Sequence, residues 1–376
     1  MELRNLQNNI VGQEASRLFA RAEINMGVEA FRDSLYSLLK RNTFLNIKFE
    51  NMLDTLGEIS RTDIRSLLGE WEKTTPLPFY SLGEPTLTKI TNKGGEEFFV
   101  LKMLISNNSD YDGIIHMDIR KDGWWYQPLE DPRAKTKIEM PAHTSKEFVS
   151  VWEDQIRNVE INTMVSGNLP NIISQDINNV KQERNKIVKD SIYILPESSF
   201  DLPGEIIVDN EDSTLFILSA PPIVGLLPKW LDEVEETPFK YSGISWWRPP
   251  LQWTATTNDR YYGKYIRSAF VIKSGDGSQT ATWKVPVPEV GQYDLYYHVF
   301  KDDELRWNNN LQGEYHFKVK YGSEVEDAYV NLRKANEGWE QLGSYYFDSD
   351  TVRVVLTDEC KLRSVTADAV KIVKRY

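Results

Sequence analysis

The stretch ATWKVPVPEVGQYDLYYHVF, residues 281–300, decides how the C-terminal part of this chain folds. Trp283, Val285 and Val287 fall on every second position, and Tyr293, Leu295, Tyr297 and Val299 repeat the pattern after a turn at Pro288–Gly291. Strand side chains point to opposite faces in turn, so a period of two reads as two strands, each with one face toward a core. Trp283 is therefore read as core. The alternate set on the second strand, Asp294, Tyr296, His298 and Phe300, faces outward.

Working outward, the runs YIRSAFVIK, YHFKVKYG, EDAYVNL, EQLGSYYFD, TVRVVLTD and VTADAVKIV bring the total to eight strands in residues 239–376. With no helical period among them, they predict a jelly-roll-like β-sandwich. If YHFKVKYG pairs with YDLYYHVF, His316 and Lys318 share the outward face of Tyr296 and His298. Trp339, close to Leu342, is read as core. Asp368, between two alanines, is read as satisfying backbone groups rather than as an acid.

The earlier residues differ. Residues 1–78 carry apolar side chains at three- and four-residue spacing, as in Phe31, Leu35 and Leu38, and predict helices. Gly57 is read as a helix stop and Ser60 with Asp63 as an approximate capping box. From Phe79 the period changes to two, and residues 79–165 predict a small immunoglobulin-like sandwich. Residues 166–238 read as a connecting region, with a hairpin around Asn210–Glu211–Asp212 and a linker anchored by Leu226, Leu227, Trp230 and Leu231. The fold class is thus mainly β with an N-terminal helical segment.

Composition narrows the function. Residues 1–238 hold 25 Lys and Arg against 38 Asp and Glu, whereas residues 239–376 hold 19 against 18. An acidic front and a balanced back argue against nucleic acid as a partner. No apolar run reaches the ~18 residues of a membrane helix, and the first residues lack the apolar centre of a signal peptide. The one cysteine, Cys360, excludes an intrachain disulfide and a cysteine-based zinc site. None of the four histidines opens an HExxH, and no GxSxG, P-loop or GxGxxG occurs. No cofactor, metal or catalytic residue is expected, and the chain is read as non-catalytic; a hydrolase built on distant carboxylates is the lesser alternative.

Six of the 11 Trp and 13 of the 18 Tyr lie in residues 239–376. Trp246 and Trp247, in a Pro-stiffened loop, and Trp307, in a polar loop, are candidate ligand-binding residues with Tyr296, His298 and His316; the alternative is that the 241–265 segment, with Tyr261, Tyr262 and Tyr265, wraps the sandwich and covers this face. Trp124 and Trp125 mark a hairpin tip in the acidic half. The expected partner is a polysaccharide or a protein surface. A purely structural interdomain or protein-contact role is the alternative.

Two resemblances bear on this reading. Trp283, Pro288, Gly291 and Tyr293, then Gly338, Trp339, Leu342, Gly343 and Phe347, then Ala367–Val370, resemble in order the golvesin/xanthan-lyase C-terminal domain. That resemblance implies a β-sandwich similar to carbohydrate-binding domains, in an extracytoplasmic setting. Ser60, Asp63, Ile64, Trp71 and Pro78, with the strands that follow, resemble the end of aminopeptidase N type zinc peptidases and their next β-domain. This second resemblance covers residues 1–165 and implies an upstream peptidase domain, but carries over no catalytic residue.

Overall fold

The computed structural model describes residues 16, 19–43, 46, 48–61, 76–121, 127–177, 179–184, 188–196, 204–219, 240–241, 243–244, 248–301 and 313–375. They form two compact units, Met1–Phe200 and Asp201–Tyr376.

The first unit opens with a helical stretch over 19–26, then α1 (Val28–Arg41) and α2 (Phe49–Ser60). Ala22, Phe31, Leu53 and Leu56 bury together, which is what the spacing of three and four predicts. α2 runs through Gly57 and ends where Arg61 turns left-handed at φ 53°, its N–H donating to the Gly57 carbonyl. Gly57 is therefore not the stop, and Ser60 closes a helix rather than opening one. Asp63, Ile64 and Trp71 lie outside the described residues.

Among the described residues, eleven strands follow: β1 (Tyr80–Leu82), β2 (Thr86–Thr91), β3 (Glu97–Asn107), β4 (Gly113–Lys121), β5 (Gln127–Pro128), β6 (Lys135–Met140), β7 (Thr144–Trp152), β8 (Ile156–Asn162), β9 (Ile172–Asp176), β10 (Val180–Arg184) and β11 (Ser191–Pro196). One sheet runs β10-β2-β3-β7-β11 with β1 on β3, and the other β5-β4-β8-β9 with β6 on β4. Leu101, Met103 and Ile105 of the first meet Ile115, Met117 and Ile161 of the second in one core. Arg21 and Glu23 ion-pair with Glu139 and Lys137, and Ala20 packs with Ile114 and Met164, so the 19–26 helix docks on the second sheet.

The second unit holds β12 (Glu205–Val208), β13 (Phe216–Ser219), β14 (Thr254–Thr257), β15 (Ser268–Lys273), β16 (Thr280–Pro286), β17 (Gly291–Val299), β18 (Glu314–Tyr321), β19 (Glu324–Asn331), β20 (Gly338–Phe347), β21 (Thr351–Thr357), β22 (Ser364–Ala367) and β23 (Val370–Lys374). Sheet β12-β23-β17-β20 packs on sheet β13-β16-β21-β18-β19, and β14-β15-β22 forms a third. Tyr293, Leu295, Tyr297 and Val299 of β17 meet Trp283, Val285, Phe317 and Val354 in a single core. The Trp283 indole is fully buried, 5.4 Å from the Phe216 ring and 6.2 Å from that of Tyr297.

Within 166–238, the connecting region of the sequence analysis, the described strands belong to the two sandwiches. β9 extends one sheet of the first sandwich, and β10 and β11 are the edges of the other, β10 parallel to β2. The strands flanking Asn210, expected as a hairpin, do not pair with each other. β12 pairs with β23 and β13 with β16, so the 209–215 turn carries the chain from one sheet of the second sandwich to the other. Val208 and Phe216 both face the core, and each strand completes the edge of a different sheet. Leu226, Leu227, Trp230 and Leu231 lie outside the described residues. VTADAVKIV, read as one strand, is two strands in two sheets, divided at Asp368 and Ala369.

Candidate functional site

β17 behaves as its alternation requires: the Tyr293 set is buried, while Asp294, Tyr296 and His298 stand half-exposed on the outer face. Phe300 is the exception. The Tyr261 ring covers it edge-on at 4.6 Å and the Arg260 guanidinium lies 4.5 Å above it, leaving it buried.

The neighbours of β17 are β20 and β23. Register places Trp339 opposite His298, Gln341 and Lys371 on either side of Tyr296, and Ser344 beside Asp294. Trp339 is therefore not core; it stands half-buried on the outward face. The cause is a bulge. Leu295 faces Gly343 and Tyr296 faces Gln341, so Leu342 is an extra residue that inverts the alternation of β20. Counting back by twos from buried Phe347 and Tyr345 would put Trp339 inside. The Gly343 in mid-strand was the available signal.

Tyr262, one of the aromatics of the 241–265 segment, completes the face. Its ring lies 5.1 Å from Trp339 and 5.8 Å from His298, and His298 and Trp339 are themselves 5.1 Å apart and nearly perpendicular. The Lys371 ammonium lies 4.9 Å from the Trp339 ring and 5.3 Å from Tyr296, and pairs with Glu205 at 2.9 Å. Asp294 accepts from Arg375 Nε at 2.8 Å and Gln341 Nε2 at 3.0 Å, and also from Ser344. Burial pushes the Asp294 carboxyl up, but these donors outweigh it and hold it below the usual carboxylate range.

Behind the rings lies Asp368, fully buried. It accepts the Tyr262 backbone N–H at 3.1 Å and contacts His298 Nδ1 at 2.9 Å, while its carbonyl accepts from Trp283 Nε1 at 3.2 Å. Burial raises its carboxyl pKa, opposed by His298. The reading of Asp368 as a satisfier of backbone groups describes this geometry. Asp368 fixes the Tyr262 loop and the imidazole together, and leaves His298 Nε2 without a hydrogen-bond partner among the described residues. Nearby, burial and then the Asp368 charge push the largely buried Asp209 carboxyl up to about 9. Among the described residues no three His, Cys, Asp or Glu are placed to hold a metal ion.

His316 is not part of this face. β18 belongs to the opposite sheet, where His316 stacks on Tyr329 at 4.8 Å and its Nε2 meets Asp327 at 2.7 Å. Lys318 goes with it. Trp307, Trp246 and Trp247, and also Trp124 and Trp125, lie outside the described residues. A cavity of about 570 Å³ in the first unit is a poorer candidate. Its Arg133 is held by Asp131 and Asp190 over the Trp152 ring, and its Lys121 by Asp154.

Among the described residues no helix is long and apolar enough to cross a membrane. No curated protein matches the chain. Among solved structures the chain is similar, at 12% identity and a TM-score of 0.23, to a Bacteroides uniformis beta-glucuronidase, over 85% of this chain and 32% of that one. The chain thus spans about a third of that protein's length. It is also similar, at 10% identity and a TM-score of 0.16, to the structure of Sulfolobus turreted icosahedral virus, over 81% of this chain and 95% of that one. The stretch that carries the Tyr262, His298 and Trp339 rings and the buried Asp368, residues 249–374, matches the family model of the Golvesin C-terminal domain.

Proposed function

We propose that the second unit is a non-catalytic, carbohydrate-directed binding module, and that an uncharged polysaccharide meets the outward face of the β12-β23-β17-β20 sheet. The observation that carries this reading is the set of Tyr262 and Trp339 rings around the His298 imidazole, which is anchored from behind by Asp368. A pyranose offers C–H faces to such rings and hydroxyls to directional groups, here His298 Nε2 and Gln341. The charged groups near the rings already have partners, Lys371 with Glu205 and Asp294 with Arg375, which favours an uncharged ligand. Asp368 is committed to Tyr262 and His298 inside the protein, which supports a binding role over an acid–base one.

The Golvesin C-terminal match supports an extracytoplasmic setting. The resemblance of residues 1–165 to the end of a zinc peptidase supports an accessory place beside a catalytic domain. Affinity electrophoresis of the full chain in gels of neutral polysaccharides tests the proposal, with Trp339→Ala as the control. Retardation is expected for the parent and is lost in the variant. A parent that no polysaccharide retards, or a variant retarded equally, favours the interdomain or protein-contact role.

A further inference from the structure

On the opposite face of the same sandwich, three cations stand in one row. Lys284 of β16 is directly opposite Arg353 of β21, and Arg353 is directly opposite Lys320 of β18. All three alternate with core residues, since Val285, Val352, Val354 and Val319 are buried, so all three point outward. Adjacent strands lie ~4.8 Å apart, so the row spans about 10 Å. Lys318 stands in the next row of the same face. None of the four makes an ion pair among the described residues. The carboxylate best placed for Lys318 is Asp327, its cross-strand partner, and His316 takes it at 2.7 Å.

Like charges directly opposite on neighbouring strands destabilise a sheet. This row does not follow from an excess of cations, because residues 239–376 carry 19 basic against 18 acidic residues. On the ring-bearing face the cations are neutralised: Lys371 by Glu205 and Arg375 by Asp294. The contrast lies in placement, with paired charge on one face and unpaired positive charge on the other.

We infer that the outward face of the β13-β16-β21-β18-β19 sheet binds an anionic polysaccharide, a linear glycan carrying carboxylate or sulfate groups, with Lys284, Arg353, Lys320 and Lys318 as its cationic contacts. Charge complementarity supplies the attraction. The hydroxyl of Thr282, between Ile217 and Val355 in the next row, and the exposed Tyr329 ring offer the hydrogen-bonding and stacking groups that a sugar uses. A nucleic acid fits less well, because the whole chain carries a net charge of −12 and would repel an extended phosphate backbone beyond this short row. This site is separate from the ring-bearing face and stands or falls without it.

The test uses the full chain and immobilised polygalacturonate and dextran sulfate, with plain dextran, duplex DNA and phosphatidylserine vesicles as comparison arms. Binding to either anionic glycan is expected at low salt, with log affinity falling linearly against log salt. The double variant Arg353→Glu, Lys320→Glu should lose at least about tenfold in affinity and flatten that slope. Trp339→Ala should bind the anionic glycan as the parent does. Arg353→Gln should melt no lower than the parent, because it removes a like-charge contact. Undiminished binding by the double variant, or retention on DNA or vesicles without retention on either anionic glycan, overturns the inference. So does the absence of anionic-glycan binding at low salt.

Discussion

His298 and Trp339 stand directly opposite each other across β17 and β20, their rings 5.1 Å apart and 78° from parallel. This contact exists only because Leu342 is bulged out of register, and it sets the half-buried Trp339 apart from the fully buried Trp283.

That separation is measurable. Trp339→Ala should weaken neutral-glycan binding several-fold, since one aromatic contact contributes ~1 kcal/mol, and should shift the melting temperature little. Trp283→Ala removes a fully buried indole and should cost about 3–5 kcal/mol in denaturant unfolding. Equal destabilisation by the two variants would contradict the placement of Trp339.

Asp368 is predicted to hold the site together. Asp368→Ala leaves the Tyr262 N–H and the His298 imidazole without their acceptor, at a cost of ~1–3 kcal/mol for each buried group left unsatisfied. Thermal melts should show the loss, and the imidazole resonances of His298 should broaden or shift in NMR spectra. Spectra unchanged from the parent would refute the anchoring role.

Asp209 gives a pH signature. Burial, then the Asp368 charge, raises its carboxyl to about 9 in the folded protein, above its ordinary unfolded value of 3.8. The folded state therefore binds the extra proton, and stability falls as pH rises through the window between those values. Asp209→Asn removes this penalty. The melting temperature of the variant should exceed that of the parent by a margin that grows from pH 5 to about pH 9. A margin independent of pH would show that Asp209 ionises freely.

The boundary of the second unit is open to direct test. A fragment covering 201–376 should melt cooperatively. One covering 239–376 loses β12 and β13, and with them Val208 and Phe216 from the core and the closing strand of each main sheet. It should be markedly less stable or insoluble, and calorimetry of the two fragments decides the matter.

Gly275 supplies a smaller check. A Cβ there would lie 2.1 Å from the Asp358 carboxylate, which accepts the Gly277 N–H at 2.7 Å. Gly275→Ala should therefore lower the melting temperature, and an unchanged melt would show that the loop yields freely.

Local alternation in the sequence by itself determined which side chains of β16 and β17 turn inward. The period of two is a property of each strand's own backbone, and Trp283, Tyr293 and Tyr297 are buried as it requires. It also determined the outward positions of Tyr296 and His298, and the change from helix to strand near Phe79. Only the tertiary structure decided which strands meet. Every strand edge offers the same hydrogen-bonding groups, so nothing local in YDLYYHVF selects β20 and β23 over β18. That choice sent His316 to the opposite face, beside a row of unpaired cations that lie 36 and 33 residues apart in sequence, at 284, 320 and 353. One inserted residue at Leu342 brought Trp339 out of the core, and the break at Asp368 divided one apparent strand between two sheets. Parity propagates along a strand only until a bulge or a break resets it, and pairing across the sandwich decides where those resets fall.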